Sequence, residues 1–551
     1  MLSYKGNSML SYIRKTRNRD MENIVVVYPY TYINPYFILP PIAAEYLQAG
    51  IHAAGKQARL FDMRFESNID AWLQQADMVC LYGYFEDCSI FGKWKKHCIN
   101  EILAAIPSEV PVIAGGTGFS KPEETFEQYP DIDVIIRGNP ETPIQDILSG
   151  KDIESVPNLS FLKDDKVFFT PRVIHPLPED IFPRRKLRDP KYDYHVAGIK
   201  TDLIRAGVGC NYTCKFCYQY GKDLDGKYRK WQGRSAKSIF KEMHEIDGDI
   251  VGWVDDDMTT SMKTLEELAD LLIKHNVKKL YAGTGRIDHV LQSNVDVLKK
   301  LEKSGLLALS FGVESLKQET LDFYGKKQSL EDIEKAMAMV NQTNILLICN
   351  FILGSPKETE EDMMNMLWFG RRWNVDTLVT NRLSVPENST LYRIMYDKSG
   401  LPRTGAERIH GKELSRIKNK IKFGQRTPFR ICLSILKLYR HKGMYIDPMQ
   451  LFLSAVLTMT RHTWLEKSLV FPYALRGAIR VLRLAPVRSF NRGAAIILTP
   501  GIKAINAVFE HADKRLGIST SVLPRFVLFL KEGMYRKQVD RAQINTSARR
   551  P

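Results

Sequence analysis

Short apolar runs separated by longer amphipathic stretches organise the first 400 residues. Between residues 22 and 150 the runs are Ile24–Tyr28, Ala58–Phe61, Met78–Tyr82, Val110–Ala114 and Val134–Arg137. Each has the length of a buried strand. Helical stretches such as Pro41–Ala54 and Phe91–Ile106 lie between them. This alternation predicts an α/β, doubly wound parallel sheet with its ligand edge at the strand carboxyl ends. Residues 151–200, punctuated by Pro176, Pro178 and Pro183, read as a linker. A second series of β-α units fills residues 201–400, with strands near Leu203–Val208, Ile250–Asp255, Lys279–Gly283, Leu307–Gly312, Leu346–Leu353 and Thr377–Leu383. Helices such as Ser261–His275 and Thr359–Trp373 separate these strands.

Composition adds four constraints. A chain of 551 residues exceeds what one core usually supports, so more than one domain is expected. Residues 1–21 read as a polar, basic, disordered extension without the apolar core of an export signal, with Met21 as a candidate start. Eight cysteines without such a signal point to a reducing cytoplasm. No stretch has the apolar length of a membrane span; the longest, Pro448–Thr460, is too short.

Charge is unevenly placed. Residues 401–551 hold 29 Lys and Arg against 8 Asp and Glu, whereas the first 400 hold 50 against 55. The basic surplus belongs to this C-terminal region, which reads as mainly helical. In Ala474–Leu484, Arg476, Arg480 and Arg483 fall on one helical face among Leu475, Ile479, Val481, Leu482 and Leu484; Val522–Leu530 adds another apolar run. Such a pattern suits an anionic membrane surface at the inner face, and equally an ordinary solvated helical domain. Nucleic acid is the weaker alternative.

The strongest chemistry is in Gly207–Tyr220, where Cys210, Cys214 and Cys217 have the spacing C-x3-C-x2-C. Three thiolates can bind three irons of a [4Fe–4S] cube and leave the fourth open to a small chelating ligand. A zinc site would need further Cys or His nearby, a thioredoxin-like pair would leave Cys210 without a role, and buried structural cysteines are the plainest alternative.

This run resembles the signature of the radical S-adenosylmethionine (SAM) superfamily. The resemblance implies a partial (β/α)6 TIM-type barrel, SAM bound at the open iron, and an electron donor such as flavodoxin or ferredoxin. It also implies that reductive cleavage of SAM yields a 5'-deoxyadenosyl radical. Phe216 is then placed beside the nucleoside. Asp255 and Asp256 match an F-x-D-D strand end that holds the SAM ammonium. Arg286, after the third strand, is a candidate for pairing with a carboxylate, and Glu314 matches a G-x-E-S end. Gly354-Ser355-Pro356 stands where the family has G-x-P.

The N-terminal region resembles the cobalamin-binding domain that precedes many radical SAM barrels. Gly115, Gly116, Pro122 and Glu123 match its glycine-pair and Pro-Glu signature. Gly138-Asn139-Pro140-Glu141 is an imperfect match to its second turn. Tyr28-Pro29-Tyr30-Thr31 occupies the place of a histidine-bearing motif, and Tyr82 stands where a small residue is usual. The resemblance implies cobalamin-dependent methylation, or a related modification, of an unactivated carbon. The apolar, basic tail favours a lipid, isoprenoid or tetrapyrrole substrate. Hopanoid methylases and magnesium-protoporphyrin cyclases share this domain order. The alternatives are oxidative cyclisation or coupling without cobalamin, a non-catalytic cluster scaffold, and tRNA modification. The last needs a second cluster, for which Cys80, Cys88 and Cys98 are the loose candidates.

Overall fold

The computed structural model describes residues 12, 13, 15, 16, 21–31, 37–83, 97–196, 199–217, 230–385 and 389–424. All lie in the first of two compact units, residues 1–446. Cys88 and the basic runs Ala474–Leu484 and Val522–Leu530 lie outside the described residues, as does the start of the predicted helix Phe91–Ile106.

The chain runs through β1 (Asn23–Tyr28), a two-residue β2 (Phe37–Ile38), β3 (Gln57–Asp62), β4 (Met78–Tyr82), β5 (Val112–Gly115) and β6 (Val134–Ile136). A hairpin of β7 (Leu159–Lys163) and β8 (Lys166–Phe169) follows. The first sheet has the order β3-β1-β4-β5-β6-β7-β8. Its first five members are parallel. The five expected strands are therefore present, and continuous apolar runs such as Met78–Tyr82, buried throughout, suit a sheet covered on both faces. Order reverses between β1 and β4, which places the topological switch point at the ends of Tyr28 and Tyr82.

The segment read as a linker does more than connect. Its β7–β8 hairpin pairs antiparallel with β6 and covers that edge, with Leu159 and Phe161 fully buried. The prolines fall after the hairpin, so they do not interrupt it. From within the N-terminal region, β2 leaves the first sheet and pairs with β9 (His195–Val196) in the second.

The second sheet continues through β10 (Ile199–Ile204). A small antiparallel pair follows, β11 (Gly207–Val208) with β12 (Gln232–Gly233). Then come β13 (Ile250–Trp253), β14 (Leu280–Gly285), β15 (Leu306–Glu314), β16 (Leu346–Leu353) and β17 (Thr377–Arg382). The order β17-β16-β15-β14-β13-β10-β9-β2 contains six adjacent parallel strands, the partial barrel expected. Helix 262–274 shows why the pattern folds this way. Ser261 caps the Thr264 N–H, and Leu265, Leu268, Ala269 and Leu272 recur at helical spacing and are all buried. Helix 360–372 starts with a capping box between Thr359 and Asp362.

One expected strand, Leu203–Val208, is divided. The parallel ladder ends at Ile204 opposite Trp253, and Gly207 turns away to pair with Gly233. A Cβ on either glycine would collide with Trp231, so the indole fits only because both lack side chains.

The two sheets are joined by buried charge. Arg188 bridges Glu45 of helix 42–53 to Asp202 of β10, at 2.6 and 2.7 Å. Arg185 pairs with Glu242 at 2.7 Å, and the Tyr46 hydroxyl donates to the same carboxylate. Removing one member of such a buried set leaves an uncompensated charge, which typically costs about 3–5 kcal/mol.

Candidate active site

The cysteine loop leaves β11 at the carboxyl end of the six parallel strands. Its backbone is held from two sides. The Lys215 N–H donates to the Tyr324 carbonyl at 2.8 Å, and the Leu391 N–H donates to the Lys215 carbonyl at 2.9 Å. The Cys217 N–H donates to the Cys214 carbonyl, which curls the last turn. No described cysteine forms a disulfide. Cys214 is buried, while Cys210 and Cys217 are partly exposed. Burial pushes the Cys210 thiol up to about 12, with Asp257 and the neighbouring Cys214 and Cys217 adding to the effect and Arg286 opposing it. Such a thiol needs a metal or nearby cations to become a thiolate. Among the described residues no three His, Cys, Asp or Glu side chains converge on one ion. A cube binds each thiolate at a different iron, so three cysteines on one loop need not converge on a single point to hold it.

Arg286 pairs with a carboxylate inside the chain and stacks on the cysteine loop. Its guanidinium lies 3.4 Å from the centre of the Tyr212 ring, inside the cysteine loop. It donates to Asp288 at 2.9 Å and to the Lys326 carbonyl at 3.1 Å, and one nitrogen lies 4.0 Å from the Cys214 sulfur. The Tyr212 hydroxyl donates to Asp288 and lies 3.1 Å from His289 Nε2. His289 Nδ1 stands 2.9 Å from Asp257. Arg286, Tyr212, Asp288, His289 and Asp257 thus form one connected support behind the loop. Sequence reasoning missed Tyr212, Asp288 and His289. Tyr212 stood in view between Cys210 and Cys214, but its partners lie on a helix about 75 residues away.

The three acids after β13 divide by environment. Asp255 is buried and turned inward: its Oδ1 accepts from the Ala206 N–H at 2.9 Å, and the Gly207 N–H also donates to it. Burial raises its pKa to about 7 despite these bonds. Asp256 is exposed at the same turn, and its carbonyl accepts from Thr284 at 3.1 Å. Asp257 is buried as well; its Oδ1 accepts from the Thr259 N–H and hydroxyl at 3.0 and 2.7 Å.

Glu314 ends β15 in the left-handed region at φ 69°. Its Oε1 accepts from Lys326 at 3.0 Å, an amine absent from the sequence reading. A Cβ on Gly312 would collide with the Glu314 carboxylate and crowd the amine, so this pair depends on that glycine. Phe216 packs edge-on against Tyr324, with centroids 5.0 Å apart, and the Lys326 amine lies 6.0 Å from the Phe216 ring. Phe216, Glu314 and Lys326 therefore share one side of the loop. The Gly354 turn also has positive φ, and a Cβ there would press on the Ile409 carbonyl.

In the first sheet, the three predicted glycines converge on one side chain. Tyr82 is fully buried, and its ring lies where a Cβ on Gly115 would stand. Its hydroxyl donates to the Gly138 carbonyl at 3.0 Å, and the Gly116 N–H donates back to it. Gly116 and Gly138 have φ of 87° and 91°. The glycine bed suits a flat ligand with Tyr82 turned aside, and does not admit one over Gly115 with Tyr82 in place. Cys80 is buried in mid-strand and the Cys98 thiol donates to the Pro29 carbonyl, so these two behave as packed residues rather than ligands.

The sequence profile of the Radical SAM superfamily matches residues 204–369. An uncharacterized methyltransferase of Pyrococcus horikoshii is 23% identical over 298 residues, 51% of this chain and 62% of that protein. The anaerobic magnesium-protoporphyrin IX monomethyl ester cyclase of Rubrivivax gelatinosus is 26% identical over 288 residues, 49% of this chain and 50% of that protein. The chain thus matches less than two thirds of either relative. In fold it is similar to the radical SAM methyltransferase TsrM of Kitasatospora setae, solved with cobalamin and a [4Fe–4S] cluster bound. The TM-score is 0.57 at 14% identity, over 79% of this chain and 99% of that one.

Proposed function

We propose that this chain, a radical SAM enzyme by the domain it carries at residues 204–369, holds a [4Fe–4S] cluster through Cys210, Cys214 and Cys217 and modifies an unactivated carbon, with methylation as the favoured outcome. Held by these cysteines, a cluster would supply the electron for reductive cleavage of SAM, and a cobalamin on the first sheet would supply a methyl group. The observation that carries the reading is the three-cysteine loop at the carboxyl ends of six parallel strands, braced by Arg286 and Tyr212.

Around that loop the residues divide the work. Asp255 holds the Ala206–Gly207 backbone and so aims the loop. Asp256 and Glu314 are the proposed acids for the SAM ammonium and ribose side, with Lys326 as the cation nearest Glu314 and Phe216 beside the nucleoside. A SAM ammonium near Asp255 would favour its ionised form, so SAM binding near pH 6.5 should release protons. Gly115, Gly116 and Gly138 form the proposed cobalamin seat, subject to Tyr82.

A lipid, isoprenoid or tetrapyrrole substrate is supported by the likeness to the protoporphyrin ester cyclase and by the basic C-terminal region. We place the protein in the cytoplasm, peripheral at an anionic membrane face, with a flavodoxin or ferredoxin as electron donor. No helix among the described residues is long and apolar enough to cross a membrane. The second reading, oxidative cyclisation or coupling without cobalamin, is favoured by Tyr82 lying in the glycine bed. The tRNA-modifying alternative loses support from the packed Cys80 and Cys98.

The test is anaerobic reconstitution followed by iron and sulfide analysis and chromatographic detection of 5'-deoxyadenosine. About four irons and four sulfides per chain are expected. Cys210→Ala, Cys214→Ala and Cys217→Ala should each abolish SAM cleavage. Cleavage at the wild-type rate in any one of them refutes the assignment.

A further inference from the structure

We propose that Tyr82 is the gate of the N-terminal ligand seat, and that its displacement controls whether a corrin can settle on the first sheet. This rests on the reading of that sheet as a cobalamin seat. Three observations converge on it. First, β1 and β4 flank the switch point of the sheet, where the diverging connections open a crevice and where doubly wound sheets bind ligands. Tyr82 is the last residue of β4, and its buried ring lies over Gly115 of the adjacent β5.

Second, Tyr82 satisfies all three glycines that would form the seat. Its ring covers Gly115, its hydroxyl accepts from the Gly116 N–H, and the same hydroxyl donates to the Gly138 carbonyl. Backbone groups that would meet a ligand are already paired within the chain. Third, the bareness of the glycine pair is accounted for without a ligand. Gly115 cannot carry a side chain while the ring is in place, and Gly116 is additionally held by its left-handed φ and its closeness to the Gly83 carbonyl. A glycine pair at this strand end therefore does not by itself report a bound cofactor. The same bareness accommodates either a tyrosine ring or the face of a ligand, and the two compete.

The consequence is a direct trade. A corrin seated on Gly115 must displace the Tyr82 ring, break its hydroxyl bonds and leave it another place. Affinity is lowered by the preference of Tyr82 for its present position. Replacing the ring with a small side chain removes the competitor and leaves both glycines free. Removing only the hydroxyl releases the tie to Gly138 and keeps the bulk.

The experiment measures hydroxocobalamin binding to the full-length, cluster-reconstituted protein by equilibrium dialysis and visible absorbance. Wild type, Tyr82→Ser and Tyr82→Phe are compared, with iron content as the control for a folded barrel. Tyr82→Ser is expected to bind at least tenfold more tightly than wild type. Tyr82→Phe, which keeps the ring and loses both hydroxyl bonds, should gain about twofold or more, at least the usual worth of one hydrogen bond. If Tyr82→Ser leaves a cavity too large for folding and loses its iron, Tyr82→Phe decides alone, and no gain there overturns the gate. Equal, tight binding by wild type and Tyr82→Ser overturns the gate and leaves the cobalamin seat standing. Absence of binding in all three, with iron content intact, overturns the seat and the gate together, while SAM cleavage in the same samples reports separately on the radical SAM assignment.

Discussion

Replacing Asp255 with Asn should change how the stability of this protein depends on pH. Burial lifts the Asp255 carboxyl from 3.8 to about 7, against the pull of the Ala206 and Gly207 N–H groups. In the unfolded chain the group loses its proton near pH 4. Between about pH 4 and 7 the folded state therefore holds the extra proton, and stability falls as pH rises, by up to ~1.4 kcal/mol per unit. Above about pH 7 the loss is complete and the dependence flattens. From pH 5 to 8 the carboxyl thus removes about 3 kcal/mol from the folded state. Asn at 255 cannot ionise, so the variant should lack this decline. It still accepts from Ala206, but its amide meets the Gly207 N–H donor to donor, at a cost of about 1–3 kcal/mol. Asp255→Asn should consequently be less stable than wild type at pH 5 and equal or superior at pH 8. Urea unfolding followed by circular dichroism at pH 5, 6, 7 and 8 measures the difference directly. Parallel pH profiles for the two proteins would show that the carboxyl ionises normally in the fold, and the buried-acid account of this strand end would be wrong.

Arg286→Met should lower cluster content or shift the cluster to a more negative midpoint potential in an electron paramagnetic resonance redox titration, because it removes the cation nearest the Cys214 sulfur; Arg286→Lys should restore only part, since Lys cannot stack on Tyr212 and pair with Asp288 at once. Lys326→Met should weaken SAM binding about tenfold or more by leaving buried Glu314 without its partner, and calorimetry showing unchanged affinity would remove that pair from the site. Gly312→Ala should mimic that loss, since the added methyl collides with the Glu314 carboxylate. The full chain should sediment with anionic liposomes at low salt and be partly released by high salt, whereas a chain ending near residue 400 should not sediment; tight tRNA binding without liposome binding would reverse that expectation.

Local pattern was enough for most of the strands and for singling out the cysteine loop. Because a buried strand must be apolar over its own few residues whatever lies beside it, apolar run length and spacing located the parallel strands of both sheets except the first of the barrel, Ile199–Ile204, which the pattern places several residues later. Three cysteines within eight residues likewise carry their chemistry in their spacing. The limits of the sequence appear wherever a side chain's partner lies far along the chain. Arg286 reads as a candidate partner of a carboxylate, and only the fold shows Asp288 in that place with Tyr212 and the Lys326 carbonyl beside it. That the Asp255 carboxylate also holds the Ala206 N–H, 49 residues away, is visible only in the fold. Gly115, Gly116 and Gly138 match a cofactor signature in sequence, yet in the fold they are brought together by Tyr82, whose hydroxyl reaches Gly138 across 56 residues. The identity of the elements was written in short-range periodicity. The duties of the charged and glycine residues at their ends were decided by which distant groups the sheet topology delivers to hydrogen-bonding distance, a property that no local window of sequence contains.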